Sequence, residues 1–258
     1  MTSKTFTIEN LEYFMMVLAR ISAFIFSAPV FNQKNIPRKV KALFSVVLAS
    51  VVFTALDYKP LDYAGIIDFG VLIVTEVVAG LILGFVANIC VMILNFAGNL
   101  VDMEIGFSMA QEMNNVNNVT STITGNYYIY LVMLVMLVSD MHLYVLKAIV
   151  ESFNIIELGH VKVGVDIYVV LLKFLVEYFI IAFRIILPVF TAMLVTNAVL
   201  GILAKAAPQM NMFVVGMQLK VVIGLAVLFF TASTIGNVSN FIFEEMKVMM
   251  KLAMVYLK

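Results

Sequence analysis

The chain has 258 residues, of which 63% are hydrophobic and 12% are charged, and its 16 basic and 16 acidic side chains cancel. Soluble domains are about half apolar and about a quarter charged, so this composition excludes an ordinary soluble domain and indicates an integral membrane protein. No basic tract suggests nucleic acid as a partner. The single cysteine excludes a disulfide or a cysteine-based metal site within the chain.

The sequence contains none of the short motifs that hold phosphates, calcium or catalytic zinc. We therefore expect no cofactor, no metal site, no catalytic residues and no enzyme activity. Neither an internal repeat nor a shift in composition marks a boundary, so we predict one domain over residues 1–258.

Long apolar runs dominate the chain, and they are too continuous for strands, so they predict helices. The runs are Leu11–Phe31, Val40–Leu56, Ile66–Val101, Tyr127–Val150, Ile167–Ala204 and Phe213–Phe243. Three of the six runs far exceed the roughly 20 residues that cross a bilayer, and the two longest are 66–101 and 167–204. Each of these two is expected to be a long kinked helix, a helical hairpin, or a helix that protrudes from the membrane. Gly80 and Gly84 are spaced to let another helix approach closely, although this spacing is also common by chance.

A basic cluster follows a short proline-bracketed turn near the N-terminus. Pro29 and Pro37 bracket the turn, and Arg38, Lys39 and Lys41 begin the next helix. Cations are least favourable at a helix start, which suggests external partners such as lipid phosphates or another subunit. Anchoring on the cytoplasmic side of the membrane is the simpler alternative.

Charged side chains also interrupt the apolar runs, where they are rare and normally face protein or water. The predicted buried charges are Glu76, Lys173, Glu177 and Arg184. Lys173 and Glu177 are four residues apart and can pair on a helix, and Arg184 lies on the same face as Glu177. Two interpretations stay open: a self-satisfied ion ladder within the subunit, or a polar seam that meets other subunits.

The segment 97–128 is the one long polar stretch, rich in Asn, Thr and Ser. Its glycines can act as hinges, and its methionines and phenylalanine are bulky and adapt their shape. Such a loop suits a plug that blocks a pore and yields to a passing chain, although the residues alone favour an ordinary connector. The candidate gate residues are Gly106, Phe107, Met109, Met113, Asn114, Asn115 and Gly125.

A second polar segment, KAAPQMN, lies between two apolar arms near residue 208. Pro208 has no backbone N–H and biases Ala207 away from helical geometry, so the preceding helix is expected to end near Ala206. Polar side chains can then satisfy the freed backbone groups of this chain or of a partner. The physics alone favours a loop between two membrane helices. The candidate hinge and subunit-contact residues are Lys205, Pro208, Gln209, Asn211, Phe213 and Gly216.

The order of residues in this hinge resembles the signature of the FliR family. These proteins are the R-type subunits of the bacterial flagellar type III export gate, and their homologues serve virulence injectisomes. All six candidate hinge residues match the pattern Gly-x-Leu-Ala-[Lys/Arg]-x-x-Pro-Gln-x-Asn-x-Phe-x-x-Gly. Two further segments are similar to the family and match it at Arg20, Pro29, Val30, Ile36, Pro37 and Lys41, and at Gly98, Asp102, Ile105, Gly106, Phe107 and Ala110.

The resemblance implies an all-α integral membrane fold of kinked helical hairpins. One R-type chain would coil with several P-type and Q-type chains into a helical, funnel-like assembly in the bacterial inner (cytoplasmic) membrane, with the export switch subunit as a further partner. That assembly would conduct unfolded export substrates, and the stretch 97–110 would lead into the loop that plugs the channel. Relatives often have Asp-Pro in place of Asn114–Asn115, so the loop here is expected to be less rigid and less charged.

Two alternatives come from other classes of function. Helices broken by proline and glycine, with charges near the midplane, are also typical of a stand-alone secondary transporter for a small solute. Matching halves would support that alternative, but the sequence contains no repeat. A structural scaffold without contact to a pore is the third possibility. The order of residues in the hinge, KAAPQMNMF, favours a flagellar machine over an injectisome.

Overall fold

A computed structural model describes residues 8–33, 35–56, 63–108, 122–162, 164, 167–209 and 211–258. These residues form helices and connecting turns without a strand. The helices are α1 (Ile8–Ser27), α2 (Arg38–Ala55), α3 (Ile66–Ile105), α4 (Ile123–Val138), α5 (Met141–Ile155), α6 (Ile167–Ala206), α7 (Met212–Ala232) and α8 (Ile235–Tyr256).

The two longest apolar runs are single helices. α3 and α6 each contain 40 residues, which corresponds to roughly 60 Å of helix. A helical hairpin is therefore excluded for both runs. Pro188 lies inside α6 without ending it. In apolar surroundings, backbone N–H and C=O groups find hydrogen-bond partners only within a helix, and this favours a helix that continues past a proline.

Two other apolar runs that predicted helical structure are broken into separate helices. The run 127–150 divides at Ser139–Asp140 into α4 and α5. Asp140 between them has a φ of 56°, a left-handed conformation that aspartate tolerates better than most residues. The run 213–243 divides at Ser233–Thr234 into α7 and α8. A short polar cluster lies at each break, Ser139–Asp140 and Ser233–Thr234, and was the signal in the sequence that could have predicted it.

Several helices among the described residues are long enough to span a membrane. Four helices are long and apolar enough to cross a membrane, or up to five if the bent pair α4–α5 forms one span. The four segments are Glu9–Ser27, Ile66–Ile105, Leu172–Ala206 and Phe213–Ala232. The prediction of an all-α integral membrane protein is confirmed.

The chain contacts group into two compact units. The first unit comprises Met1–Ile89, Asp140–Leu175 and Glu244–Lys258, and the second comprises Cys90–Ser139 and Val176–Phe243. Because each unit combines segments that are distant in sequence, the contacts do not divide the chain into consecutive halves. The single domain over residues 1–258 stays a prediction.

Close helix contact in the first unit depends on two glycines. A Cβ at Gly80 would collide with the carbonyl oxygen of Arg20, and one at Gly84 would collide with the hydroxyl of Ser27. Both glycines therefore let α3 approach the backbone of α1. Of the two interpretations of the Gly80–Gly84 spacing, the structure supports the helix contact.

Candidate functional site

The candidate gate segment begins where α3 ends. Gly106 follows the last residue of α3 with a φ of 98°, a conformation that glycine adopts without the strain felt by other residues. Its N–H donates to the carbonyl oxygen of Asp102 at 3.0 Å. Phe107 follows and is half-buried. The candidates Met109, Met113, Asn114 and Asn115 lie outside the described residues.

The far end of the gate segment is tightly packed. Gly125 lies inside α4, where a Cβ would collide with the hydroxyl of Thr122 and lie 3.2 Å from Asn95 Oδ1. A Cβ at Gly98 of α3 would collide with the backbone of Gly125. Gly125 therefore lets two helix backbones touch, and its role as a hinge stays a prediction.

A buried carboxylate joins the two ends of this segment. Asp102 of α3 is fully enclosed, and its Oδ2 accepts a hydrogen bond from Ile123 N at 2.7 Å. Its Oδ1 accepts from Thr124 N at 3.2 Å and from the Thr124 hydroxyl. The carboxylate thus binds the free N–H groups at the start of α4, where a negative charge is most favourable.

Sequence reasoning used Asp102 only as a match to the family and missed this contact. The available signal was an acid in the last turn of a very apolar helix, followed after a polar stretch by a run of hydroxyl residues at 120–124. Pairing those two features required knowing that α3 and α4 are neighbours.

The hinge has the predicted boundaries. α6 ends at Ala206 and α7 begins at Met212, so the prediction that Pro208 ends the preceding helix is confirmed. Asn211 caps α7, since its Oδ1 accepts from Phe213 N at 3.2 Å. Side chains in the turn are exposed at Lys205, Pro208, Gln209 and Asn211.

A cleft in the second unit brings the gate and hinge segments together. The cleft has a volume of about 320 Å³ and is bordered by Gly106 on one side and by Phe213 and Gly216 on the other. The other lining residues are Met103, Glu104, Ile105, Ser108, Asn197, Leu200, Met217 and Lys220. Within one unit, the start of the gate segment and the signature residues of the hinge therefore share a surface.

Glycines set the spacing around this cleft. Gly216 is buried, and a Cβ there would lie 3.1 Å from a methyl group of Leu200. A Cβ at Gly224 would lie 2.6 Å from side-chain atoms of Ile105. α7 is thus fitted closely against both α6 and the end of α3, and Phe213 stays 67% exposed at the rim.

Glu76 is the predicted buried charge that the chain encloses. Its Oε2 lies 2.5 Å from Arg20 Nε, and both side chains are fully buried. Arg20 Nη1 donates to the carbonyl oxygens of Ile156 and Ser152 at 3.1 and 3.3 Å, and Gly159 N donates to Glu76 Oε1 at 2.9 Å. The first unit therefore contains a charge pair whose partners come from α1, α3 and the end of α5.

The charges on α6 have a different environment. Lys173 and Arg184 are exposed and Glu177 is half-buried, so this chain does not bury them as expected. In the part of the chain that the structure describes, none of the three forms an ion pair. The guanidinium carbon of Arg184 lies 5.4 Å from the ring centre of Phe241. Of the two interpretations, the self-satisfied ion ladder is not formed among the described residues.

Among the described residues, no group of His, Cys, Asp or Glu side chains is placed to hold a metal ion.

Known proteins are similar to this one over most of its length. The model of the family described as bacterial export proteins, family 1, matches residues 11–246. The flagellar biosynthetic protein FliR of Bacillus subtilis (strain 168) is 30% identical over 92% of each chain. The protein of that name from Buchnera aphidicola subsp. Acyrthosiphon pisum is 27% identical over 86% of each chain, and that from Escherichia coli (strain K12) is 23% identical over 91% of this chain and 90% of its own. The chain therefore belongs to the FliR family of bacterial export proteins.

Proposed function

We propose that this protein is the R-type subunit of a flagellar type III export gate and that its segment 106–122 closes the channel at rest. Membership of the FliR family makes the chain a component of the flagellar export apparatus. The observation that carries this function is the family match over residues 11–246. The stand-alone solute transporter is not favoured, since the family is one of export proteins.

The proposed partners are P-type and Q-type subunits and the export switch subunit, in the bacterial inner membrane. Burial within the chain supports partners of this kind. In α3, 61% of the most apolar stretch is buried inside the chain, whereas in α7 the share is 11%. The outer surface of α7 is therefore available to lipid or to other helical subunits.

The charges on α6 favour protein partners over lipid for part of that surface. Lys173 and Arg184 are exposed on a helix that is apolar enough to cross a membrane. A charge at the centre of a membrane helix costs about 2.5–3.5 kcal/mol on insertion scales unless it faces protein or water. Other subunits would supply acidic or polar partners, which corresponds to the polar seam predicted from the sequence.

The geometry at both ends of segment 106–122 supports its role as the gate. A channel for unfolded proteins must exclude ions at rest and yet admit a chain. Bulky, flexible side chains such as Phe107, Met109 and Met113 suit this role because they repack without a fixed geometry. The segment starts at a glycine with positive φ and ends at a helix start tied to Asp102, so both of its described ends are held by α3 and α4.

Deletion of residues 113–119 tests the gate. We expect the assembled complex to form and to conduct small ions at rest, measured as conductance in lipid bilayers or as sensitivity of cells to small solutes. A matched variant replaces the same residues with Gly and Ser at unchanged length, which keeps the connection and removes the bulky side chains. A deleted complex that assembles and stays as tight as the parent shows that this segment is not the gate.

A further inference from the structure

A basic patch, formed by Arg38, Lys39 and Lys41, lies at the start of α2 in the first unit. Arg38 and Lys39 are the first two residues of the helix and are exposed, and Lys41 follows within the same turn. The N-cap is Pro37, which makes no side-chain cap hydrogen bond, and the first turn carries no acidic residue. A helix N-terminus has a positive partial charge of its own. Three cations and a helix dipole of the same sign are therefore gathered at one end of α2.

Lys41 distinguishes this patch from an ordinary solvated surface. Its side chain is buried, at 7% exposure, yet within the described part of the chain its ammonium forms no hydrogen bond and no ion pair. Arg20, which is also buried in the first unit, is paired with Glu76. A buried charge without a partner is costly. The ammonium of Lys41 is therefore placed to bind an external anion.

Contacts within the chain hold the backbone around the basic patch. The ring of Phe31, in the turn that precedes α2, stacks on Phe44 with 5.4 Å between the ring centres. In the same turn, Gln33 Nε2 donates to the carbonyl oxygen of Pro29 at 3.1 Å. Helical side chains lean toward the N-terminus of their helix, which directs the Lys41 ammonium to the end of α2 where the other two cations lie. Such preorganisation lowers the cost of binding a ligand.

An aliphatic stripe begins beside the basic patch. Its members are Val40, Leu43, Val47 and Val51, which follow one another at spacings of three and four residues and so share one face of α2. Each of them is more than half exposed, whereas the opposite side of α2 is buried and the helix packs against α1. A cationic helix end that continues into an exposed aliphatic stripe matches the two parts of a membrane lipid, an anionic headgroup and an acyl chain.

We propose that the start of α2 binds an anionic phospholipid, whose phosphate is held by the basic patch and whose acyl chain lies along the aliphatic stripe. A phosphate offers several oxygen acceptors, and a guanidinium such as that of Arg38 binds two of them at once. The stripe favours a lipid over the carboxylate of a partner subunit and over free phosphate, because a lipid carries the anion and the aliphatic chain in one molecule. This inference is independent of the proposed gate.

The test measures the thermal stability of the full chain, assembled with its native partner subunits in non-ionic detergent, during titration with lipid. A ligand that binds the folded protein raises its unfolding temperature in proportion to its affinity and concentration. We expect dioleoyl-phosphatidylglycerol to stabilise the parent complex. At the same concentration, dioleoyl-phosphatidylcholine and inorganic phosphate should stabilise it much less.

Lys41→Met removes the charge and keeps an unbranched side chain. Each cation near an anionic lipid contributes measurably, so we expect the dissociation constant of phosphatidylglycerol to rise about fivefold for Lys39→Met and about tenfold or more for the enclosed Lys41→Met. Without lipid, Lys41→Met should be at least as stable as the parent, because it removes an unpaired buried charge. Lys147→Met is the control: Lys147 is exposed and paired with Glu151, so lipid binding should not change.

The outcomes distinguish three sources of the anion. Weaker binding of phosphatidylglycerol by Lys41→Met supports the lipid site, and the exposed Lys39→Met gives the same information if Lys41→Met does not assemble. Equal stabilisation by phosphatidylcholine, or unchanged binding by both variants, overturns the proposal. Stabilisation by inorganic phosphate as large as that by phosphatidylglycerol overturns it in favour of a free anion. Lower co-purification of Lys41→Met with the partner subunits, at unchanged lipid binding, overturns it in favour of a partner's carboxylate.

Discussion

Charges in this protein occur in two environments, and the difference separates what the chain does alone from what it leaves to partners. Arg20 and Glu76 lie in helices long and apolar enough to span a membrane, and the chain encloses both completely. Lys173 and Arg184 lie in another helix that is long and apolar enough to span a membrane, and the chain leaves both exposed. The first pair contributes to folding of the first unit, whereas the second set is available for assembly.

The burial of the helices follows the same division. α3 carries Glu76, Gly80, Gly84 and Asp102, each fitted against a neighbouring element of its own unit. α7 carries the signature glycine Gly216 against Leu200, but most of its apolar side chains are exposed. An apolar sequence therefore does not by itself indicate a core position in this chain.

The largest expected effect comes from breaking the enclosed pair. Arg20→Met removes the cation and leaves Glu76 buried without its partner, which costs about 3–5 kcal/mol. We expect a large loss of thermal stability of the purified chain in detergent. Adding Glu76→Gln to Arg20→Met removes the stranded charge and should recover much of that loss.

Lys147→Met is the control for this pair, since Lys147 forms an exposed ion pair with Glu151 at 3.6 Å. Exposed pairs contribute about 0–1 kcal/mol, so little change is expected. Equal losses from Arg20→Met and Lys147→Met would contradict the distinction between enclosed and exposed charges.

Arg184→Leu tests the exposed set and should act mainly on assembly. We expect the chain alone to keep its stability within about 0.5 kcal/mol, because exposed substitutions usually have small effects. The free energy of assembly with P-type and Q-type subunits should weaken by at most the cost of an unpaired membrane charge, about 2.5–3.5 kcal/mol. The recovery of the complex should fall accordingly. Co-purification yield measures this. A normal yield of complex would mean that Arg184 has no partner there.

The smallest effect is expected at the hinge. Asn211→Ala removes the cap of α7 and should cost about 1 kcal/mol of chain stability. Gln209→Ala, at an exposed neighbouring position, should leave stability unchanged. Thermal unfolding measures both variants, and co-purification measures assembly. If Gln209→Ala lowers assembly while stability is kept, the exposed signature residues contact partners; if both readouts are unchanged, the exposed Gln209 is part of a plain connector.

Local chemistry explains which parts of the fold the sequence predicted well. The absence of an N–H at Pro208 correctly placed the end of α6, because this effect acts within a few residues. Pro188 has the same chemistry and did not end α6. The break at Asp140 was missed because the polar cluster there is short, apolar residues flank it on both sides, and the turn depends on one left-handed residue.

Residues far apart in sequence explain what was missed at the candidate sites. Arg20 and Glu76 are 56 positions apart, and Asp102 lies 21 positions before Ile123. Each of these residues was visible as an unusual polar side chain, but its partner was not. Four gate candidates, Met109, Met113, Asn114 and Asn115, fall outside the described residues, so their role stays a prediction.

The amino-acid sequence by itself determined the membrane class, the helical content, the end of α6 and the family, because composition, apolar run length, proline geometry and motif order are properties of consecutive residues. The tertiary structure decided which charges are enclosed, which glycines are contact points and which acid caps α4. Those features depend on which helices become neighbours. Removing a charge from water is tolerated only where a partner is within hydrogen-bonding distance, and the fold alone sets that distance.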